Sequence, residues 1–253
     1  MTKRYKNMNS SPYFKYDGSL PGLFTLIFQK FPDLEKIDII PDSDQLNMLG
    51  GENFILTNES QADRVLKSLQ EKFGKDFVRR LMYVYSSPFP SKEDIIARTI
   101  KGMYIYGKKY LFSSEKIPSE FRRLGKRVGA ENHTYKGLLR FKELKDGMFF
   151  AEFKPENDIL VFLAPHFIRR MPAERFAICD SKRKKCLIYE NGLTEIVGVD
   201  KLELLESQEE EFIKAAWVKF YQAVAIEERK NESLMVNNMP KKYWKFLPER
   251  ENF

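Results

Sequence analysis

The chain has only two imidazoles, and both sit among cations. His133 opens the block H-T-Y-K-G-L-L-R-F, which ends with Arg140 and Phe141. His166 opens H-F-I-R-R-M-P, which holds Arg169 and Arg170. A third block, A-I-C-D-S-K-R-K-K, carries Asp180 and the run Lys182, Arg183, Lys184, Lys185. Such groups suit an anion, because a guanidinium can donate two parallel hydrogen bonds to a phosphate or carboxylate.

Spacing sharpens each block. On a helix, His166, Arg169 and Arg170 fall at i, i+3 and i+4 and so share a face. Stacked positive groups repel unless something anionic lies over them, which points to a phosphate or nucleic-acid contact. Strand alternation around Leu139 and Phe141 would put Arg140 on the opposite face, toward solvent or a ligand. Asp180, at a strand end, could orient a histidine. His133, His166 and Asp180 would then form a catalytic assembly with an imidazole as general base. Arg140, Arg169, Arg170, Lys182 and Arg183 are the candidate phosphate or nucleic-acid contacts. Plainer readings cover the same residues: a capping histidine, surface arginines, a solvated lysine loop. No nucleophile elbow, Walker loop, H-E-x-x-H or carboxylate cluster of metal-binding spacing occurs, so no metal, cofactor or particular reaction is expected.

These residues need elements to hold them. A chain of 253 residues can form one large domain or two small ones. Its net charge of +7 comes from 43 basic and 36 acidic residues, so placement matters more than excess. Tyr13–Tyr16, a helix over Leu20–Phe31, and strand-like runs at Ile37–Ile40 and Phe54–Leu56 read as a small α/β unit. From Asn58 to about Ser114 the pattern is helical, with Gly74 as a stop and Ser91 opening a capping box. Residues 117–135 are basic and helical in tendency. After Gly137 the apolar runs Leu138–Leu144 and Met148–Lys154 flank the turn signal Asp146-Gly147, and a helix runs through His166 to Arg170 despite Pro165. Phe176–Asp180 and Cys186–Glu190 form a hairpin, and Thr194–Val199 continues the sheet beyond Asn191-Gly192. A helix over Ser207–Arg229 shows one wide apolar face.

The fold class expected is therefore α+β: a small N-terminal α/β unit, a helical middle, and a mostly antiparallel C-terminal sheet backed by a long helix. Residues 1–11 read as a disordered lead-in and 12–253 as one domain, with a subdivision into 12–115 and 116–253 as the alternative. Cys179 and Cys186 read as reduced structural thiols, close together if their strands pair. The N-terminus has charge but no apolar stretch, and no run approaches the ~20 apolar residues that cross a bilayer, so a cytoplasmic protein without membrane contact is expected.

The blocks Y-D-G-S-L-P-G-L-F, E-N-H-T-Y-K-G-L-L-R-F, A-P-H-F-I-R-R-M-P, F-A-I-C-D-S-K-R and M-P-K-K-Y-W-K-F-L-P-E occur in that order along the chain. Together they resemble a bacterial domain-of-unknown-function family linked to DNA metabolism. That resemblance implies a radical S-adenosylmethionine protein as partner and, in longer members, a fused uracil-DNA-glycosylase-like domain. The chain ends at Phe253 and lacks a C-x3-C-x2-C site, so glycosylase activity is not expected and radical chemistry would belong to the partner. The leading expectation is a DNA-binding accessory protein in DNA repair or modification. The alternatives are a hydrolase or nuclease with a histidine base, and a protein-binding scaffold that uses the Tyr243-Trp244-Phe246 tail.

Overall fold

A computed structural model of the chain describes residues 12–42, 53–199 and 239–247, together with Ile213, Ala216, Ser233 and Val236. The chain divides into two compact units, Met1–Gly129 and Ala130–Phe253. No helix among the described residues is long and apolar enough to cross a membrane.

In the first unit, β1 (Tyr13–Tyr16) and β2 (Asp38–Pro41) pair in parallel, joined through α1 (Leu20–Lys30). The Asp17-Gly18-Ser19 turn starts α1. Gly22 N–H donates to Ser19 Oγ at 2.9 Å, and Asp17 accepts from Ser19 N, Ser19 Oγ and Thr57 Oγ1 at 2.9, 2.7 and 2.7 Å. Burial pulls the Asp17 carboxyl upward, but the bonds from Ser19 and Thr57 outweigh it and hold the carboxyl below its ordinary range. Position 22 must be glycine, since a β-carbon there would run into the Asp17 carboxylate. The strand expected at Phe54–Leu56 is reduced to a single bridge, Lys15 to Phe54.

Helices α2 (Glu59–Phe73), α3 (Lys75–Tyr85) and α4 (Lys92–Tyr106) complete this unit's core with Leu69, Leu81, Ile96 and Ile100 fully or nearly fully buried. Asn58 caps α2 by accepting from Gln61 N–H at 3.0 Å, and Gly74, with φ +91°, ends it. The capping box expected at Ser91 does not form: Ser91 is left-handed and makes no side-chain cap. The acids that follow turn inward instead. Asp94 accepts from Ile39 N–H at 3.0 Å, and burial pushes its carboxyl up to about 6. Glu93, also raised by burial, accepts from the Tyr16 hydroxyl at 3.5 Å.

The division between units falls within α5 (Lys116–Leu138). The strand expected over Leu138–Leu144 is therefore mostly not a strand. The helix carries through Leu138, Leu139 N–H still donates to Tyr135 O at 3.0 Å, and only Lys142–Glu143 (β3) pairs. An apolar run of that length fits either state, and the buried Tyr135 and Leu139 at helical spacing decide for helix.

The second unit holds a five-stranded sheet in the order β3, β4 (Phe149–Phe153), β5 (Phe176–Asp180), β6 (Lys185–Glu190), β7 (Leu193–Gly198). Only β4 and β5 are parallel, and α6 (Leu160–Arg170) is the crossover between them. Asn191 and Gly192, with φ +50° and +78°, form the tight turn that their sequence signals. Ala177, Cys179 and Cys186 join Leu144 and Phe150 on one sheet face. Cys179 and Cys186 are direct cross-strand partners, and their sulfurs are bonded. The reduced thiols expected from the sequence are thus a disulfide here, because the hairpin register brings them opposite each other. The helix expected over 207–229 as the sheet's backing lies outside the described residues, apart from the helical Ile213 and Ala216. Among the described residues, α6 packs on β5 and β6. The tail forms a short helix at Lys241–Phe246, whose buried Tyr243 meets Tyr135 edge-on at 4.9 Å.

Candidate anion-binding site

Helix α6 buries Leu160, Leu163, Ala164 and Phe167. Phe141 clamps it by meeting Phe167 and Phe176 edge-on at 5.1 and 5.8 Å. Pro165 is tolerated because it lies on the exposed side, as does Val161, whose carbonyl the missing N–H would have served. This packing fixes the outward face. Arg169 and Arg170 are exposed in the last turn, and His166 is half-buried one turn earlier. His166 rests edge-on against Phe167, and its Nε2 is buried without a hydrogen-bond partner among the described residues.

Burial, followed by the charges of Lys136, Arg170 and Arg169, holds the His166 imidazole below its ordinary range. It is therefore neutral at pH 7, with one ring nitrogen an acceptor and the other a donor. Lys136 is a residue that sequence reasoning passed over. It occupies the last turn of α5, three residues after the exposed His133 and four before Arg140. Lys136 is thus an α5 group whose charge acts on His166. The spacing H-x2-K-x3-R carries the signal, but only once the helix is extended to Leu138. Arg140 follows the helix end, and its Nη1 donates to Gly137 O at 2.9 Å. It does not project from a strand as the alternation implied.

Asp180 goes elsewhere. It is fully buried, accepts from Lys182 N and Arg183 N at 3.0 and 3.2 Å, and pairs with Arg183 Nη1 at 2.8 Å. The Arg183 guanidinium also donates to the Pro155 and Glu156 carbonyls at 3.4 and 2.7 Å. Lys185 pairs with Asp158 at 2.7 Å, and Lys182 Nζ reaches Glu156 O at 3.4 Å. The basic turn is therefore largely a clasp on the loop 155–158. From the other side the same loop is held by Glu131, whose carboxylate accepts from Glu156 N, Asn157 N and Asn157 Nδ2 at 2.9, 2.9 and 2.6 Å. Asn157 thereby serves α5 and does not cap α6, whose N-cap is Ile159.

The charges of Lys136, Arg169 and Arg170 thus act on the His166 imidazole, whereas Asp180 and Arg183 pair with each other. A family model described as a domain of unknown function, DUF4130, matches residues 90–249. Comparison with curated proteins and with solved structures finds no match.

Proposed function

The chain belongs to the DUF4130 family, a domain of unknown function, and from that premise we propose that it is a DNA-binding accessory protein. The single observation that carries this reading is the surface at the end of α6. Arg169 and Arg170 are exposed there, Lys136 adds its charge, and the buried His166 Nε2 has no partner among the described residues. A phosphate over these residues would meet two guanidinium forks, and the imidazole could donate to it or take up a proton beside it. The DNA-repair setting and a separate radical S-adenosylmethionine enzyme as partner come from the sequence resemblance alone and form part of the proposal. The hydrolase or nuclease reading is weaker, because Asp180, its orienting carboxylate, is already engaged by Arg183.

Titration of the protein with short duplex and single-stranded DNA at low and moderate salt tests the reading. Binding is expected at low salt. The Arg169→Ala, Arg170→Ala double variant should weaken it and flatten the slope of log K against log salt by about two, at roughly 0.9 for each phosphate no longer neutralised. Absence of binding at low salt, or an unchanged slope in the double variant, refutes it.

A further inference from the structure

The first unit contains a cleft of about 660 Å³ between α3 and α5 that belongs to neither the His166 surface nor the DNA-binding reading. Gly125 of α5 lines it, and Gly129 lies one turn further along the same helix. A β-carbon at Gly125 would stand 2.9 Å from Arg80 Cγ and 3.6 Å from Val84 Cγ2, and one at Gly129 would stand 3.3 Å from the Tyr83 ring. Glycine at both positions lets the side chains of α3 lie flat against α5.

The walls are cationic. Arg79 and Arg80 line the cleft from α3, and Arg122, Arg123 and Lys126 line it from α5, against the single carboxylate of Asp76. Part of this charge is compensated: Arg79 pairs with Asp76 at 2.9 Å, and Arg123 holds Glu120 through two bonds of 3.0 and 2.6 Å. Arg122 donates to the Leu111 and Ser113 carbonyls, which position it but leave its charge uncancelled. Arg80 and Lys126 are exposed and have no partner among the described residues. The cleft thus offers one unengaged cation from each wall, with a third uncancelled charge in its lining.

We propose that this cleft binds the phosphate group of a nucleotide, either free or within a strand. A fork from Arg80 and a point charge from Lys126 match the oxygens of a phosphate, which accepts from both at once. The volume lies within the ~300–1,000 Å³ typical of small-ligand sites and exceeds what a bare phosphate fills. Tyr83 lines the same cleft, so the cationic walls also carry an aromatic side chain. The proposal stands on residues of the first unit alone.

The test measures binding of deoxyadenosine monophosphate and of a short 5′-phosphorylated single strand to three proteins. These are the wild-type chain, an Arg80→Ala, Lys126→Ala variant, and the Arg169→Ala, Arg170→Ala variant. The first double variant is expected to lose roughly tenfold or more in affinity, as removal of charge-assisted bonds implies. Loss with the mononucleotide identifies a free nucleotide as the ligand; loss confined to the strand identifies a backbone phosphate. Gly125→Ala, which pushes Arg80 off the helix, should give the same direction of change, with circular dichroism checking that each variant folds. The proposal is overturned if neither probe binds the wild-type chain, or if the Arg80→Ala, Lys126→Ala variant binds as tightly as wild type. Strand binding lost only in the Arg169→Ala, Arg170→Ala variant likewise overturns it, while leaving the reading of the α6 surface intact.

Discussion

Glu131→Gln is the most searching single substitution for the second unit. The wild-type carboxylate is almost fully buried and accepts three hydrogen bonds, from Glu156 N at 2.9 Å and from Asn157 N and Nδ2 at 2.9 and 2.6 Å. A glutamine has one acceptor oxygen, and its NH2 must then face at least one of those three donors. One bond to a charged group disappears, worth about 1.5–3 kcal/mol, and a buried donor is left facing another donor at a further cost of about 1–3 kcal/mol. A loss of about 2.5–6 kcal/mol is therefore expected. In urea, with a slope of about 1–3 kcal/mol per molar, the midpoint should fall by roughly 1 M or more without a change in slope. Hydrogen exchange should localise the effect, with the Glu156 and Asn157 amides losing protection before those of β5 and β6. A midpoint within about 0.3 M of wild type, or unchanged exchange at Glu156 and Asn157, would show that the carboxylate does not hold the loop.

Three further outcomes follow from the same geometry. Arg183→Ala strands the buried Asp180 carboxylate and should cost about 3 kcal/mol, part of it regained in the Asp180→Asn, Arg183→Ala double variant, while DNA affinity at low salt stays within about twofold of wild type. Reduction of the Cys179–Cys186 bond should lower stability by about 2.5 kcal/mol, the chain-entropy figure for so short a loop, read as a thiol-dependent shift in the unfolding midpoint that a Cys179→Ala, Cys186→Ala variant abolishes. His166 should make stability and DNA affinity respond to pH in opposite directions. Its folded pKa lies below the unfolded value of about 6.5, so its stabilising contribution is full above that value and is lost as pH falls through the folded pKa. DNA binding should strengthen over the same interval as the imidazolium forms, and His166→Ala should remove both trends in unfolding and titration experiments run at pH 5 to 8.

Local signals were legible. Asn58 and Gly74 bound α2, and Asp146-Gly147 and Asn191-Gly192 turn the strands they sit between, because each acts through its own backbone torsions or a partner a few residues away. Signals that need a distant partner were not. Ser91-x-x-Asp94 has the spacing of a capping box, yet Asp94 binds Ile39 N–H across the unit and Ser91 adopts a left-handed backbone. The run Leu138–Leu144 was ambiguous between helix end and strand, and misplacing that boundary hid Lys136 while assigning Arg140 to the wrong element. Asp180 and Arg183, three residues apart, looked available for chemistry because nothing in the sequence shows Arg183 closing on the carbonyls of Pro155 and Glu156.

The cations that end α5 and α6 have one account that requires no ligand. The last carbonyls of a helix carry partial negative charge, and each Lys or Arg in the final turn gains about 0.3–1 kcal/mol from it. Lys136, Arg169 and Arg170 all occupy such turns, so their clustering alone is weak evidence for an anion. His166 separates the two accounts. A neutral imidazole gains little from the helix dipole, and among the described residues its buried Nε2 lacks the partner that buried polar atoms normally have. A structural histidine at that position would be expected to bond a nearby carbonyl or carboxylate. This one is instead surrounded by cations that disfavour its own protonation, an arrangement that an incoming phosphate would reverse by raising the imidazole pKa and supplying the missing acceptor.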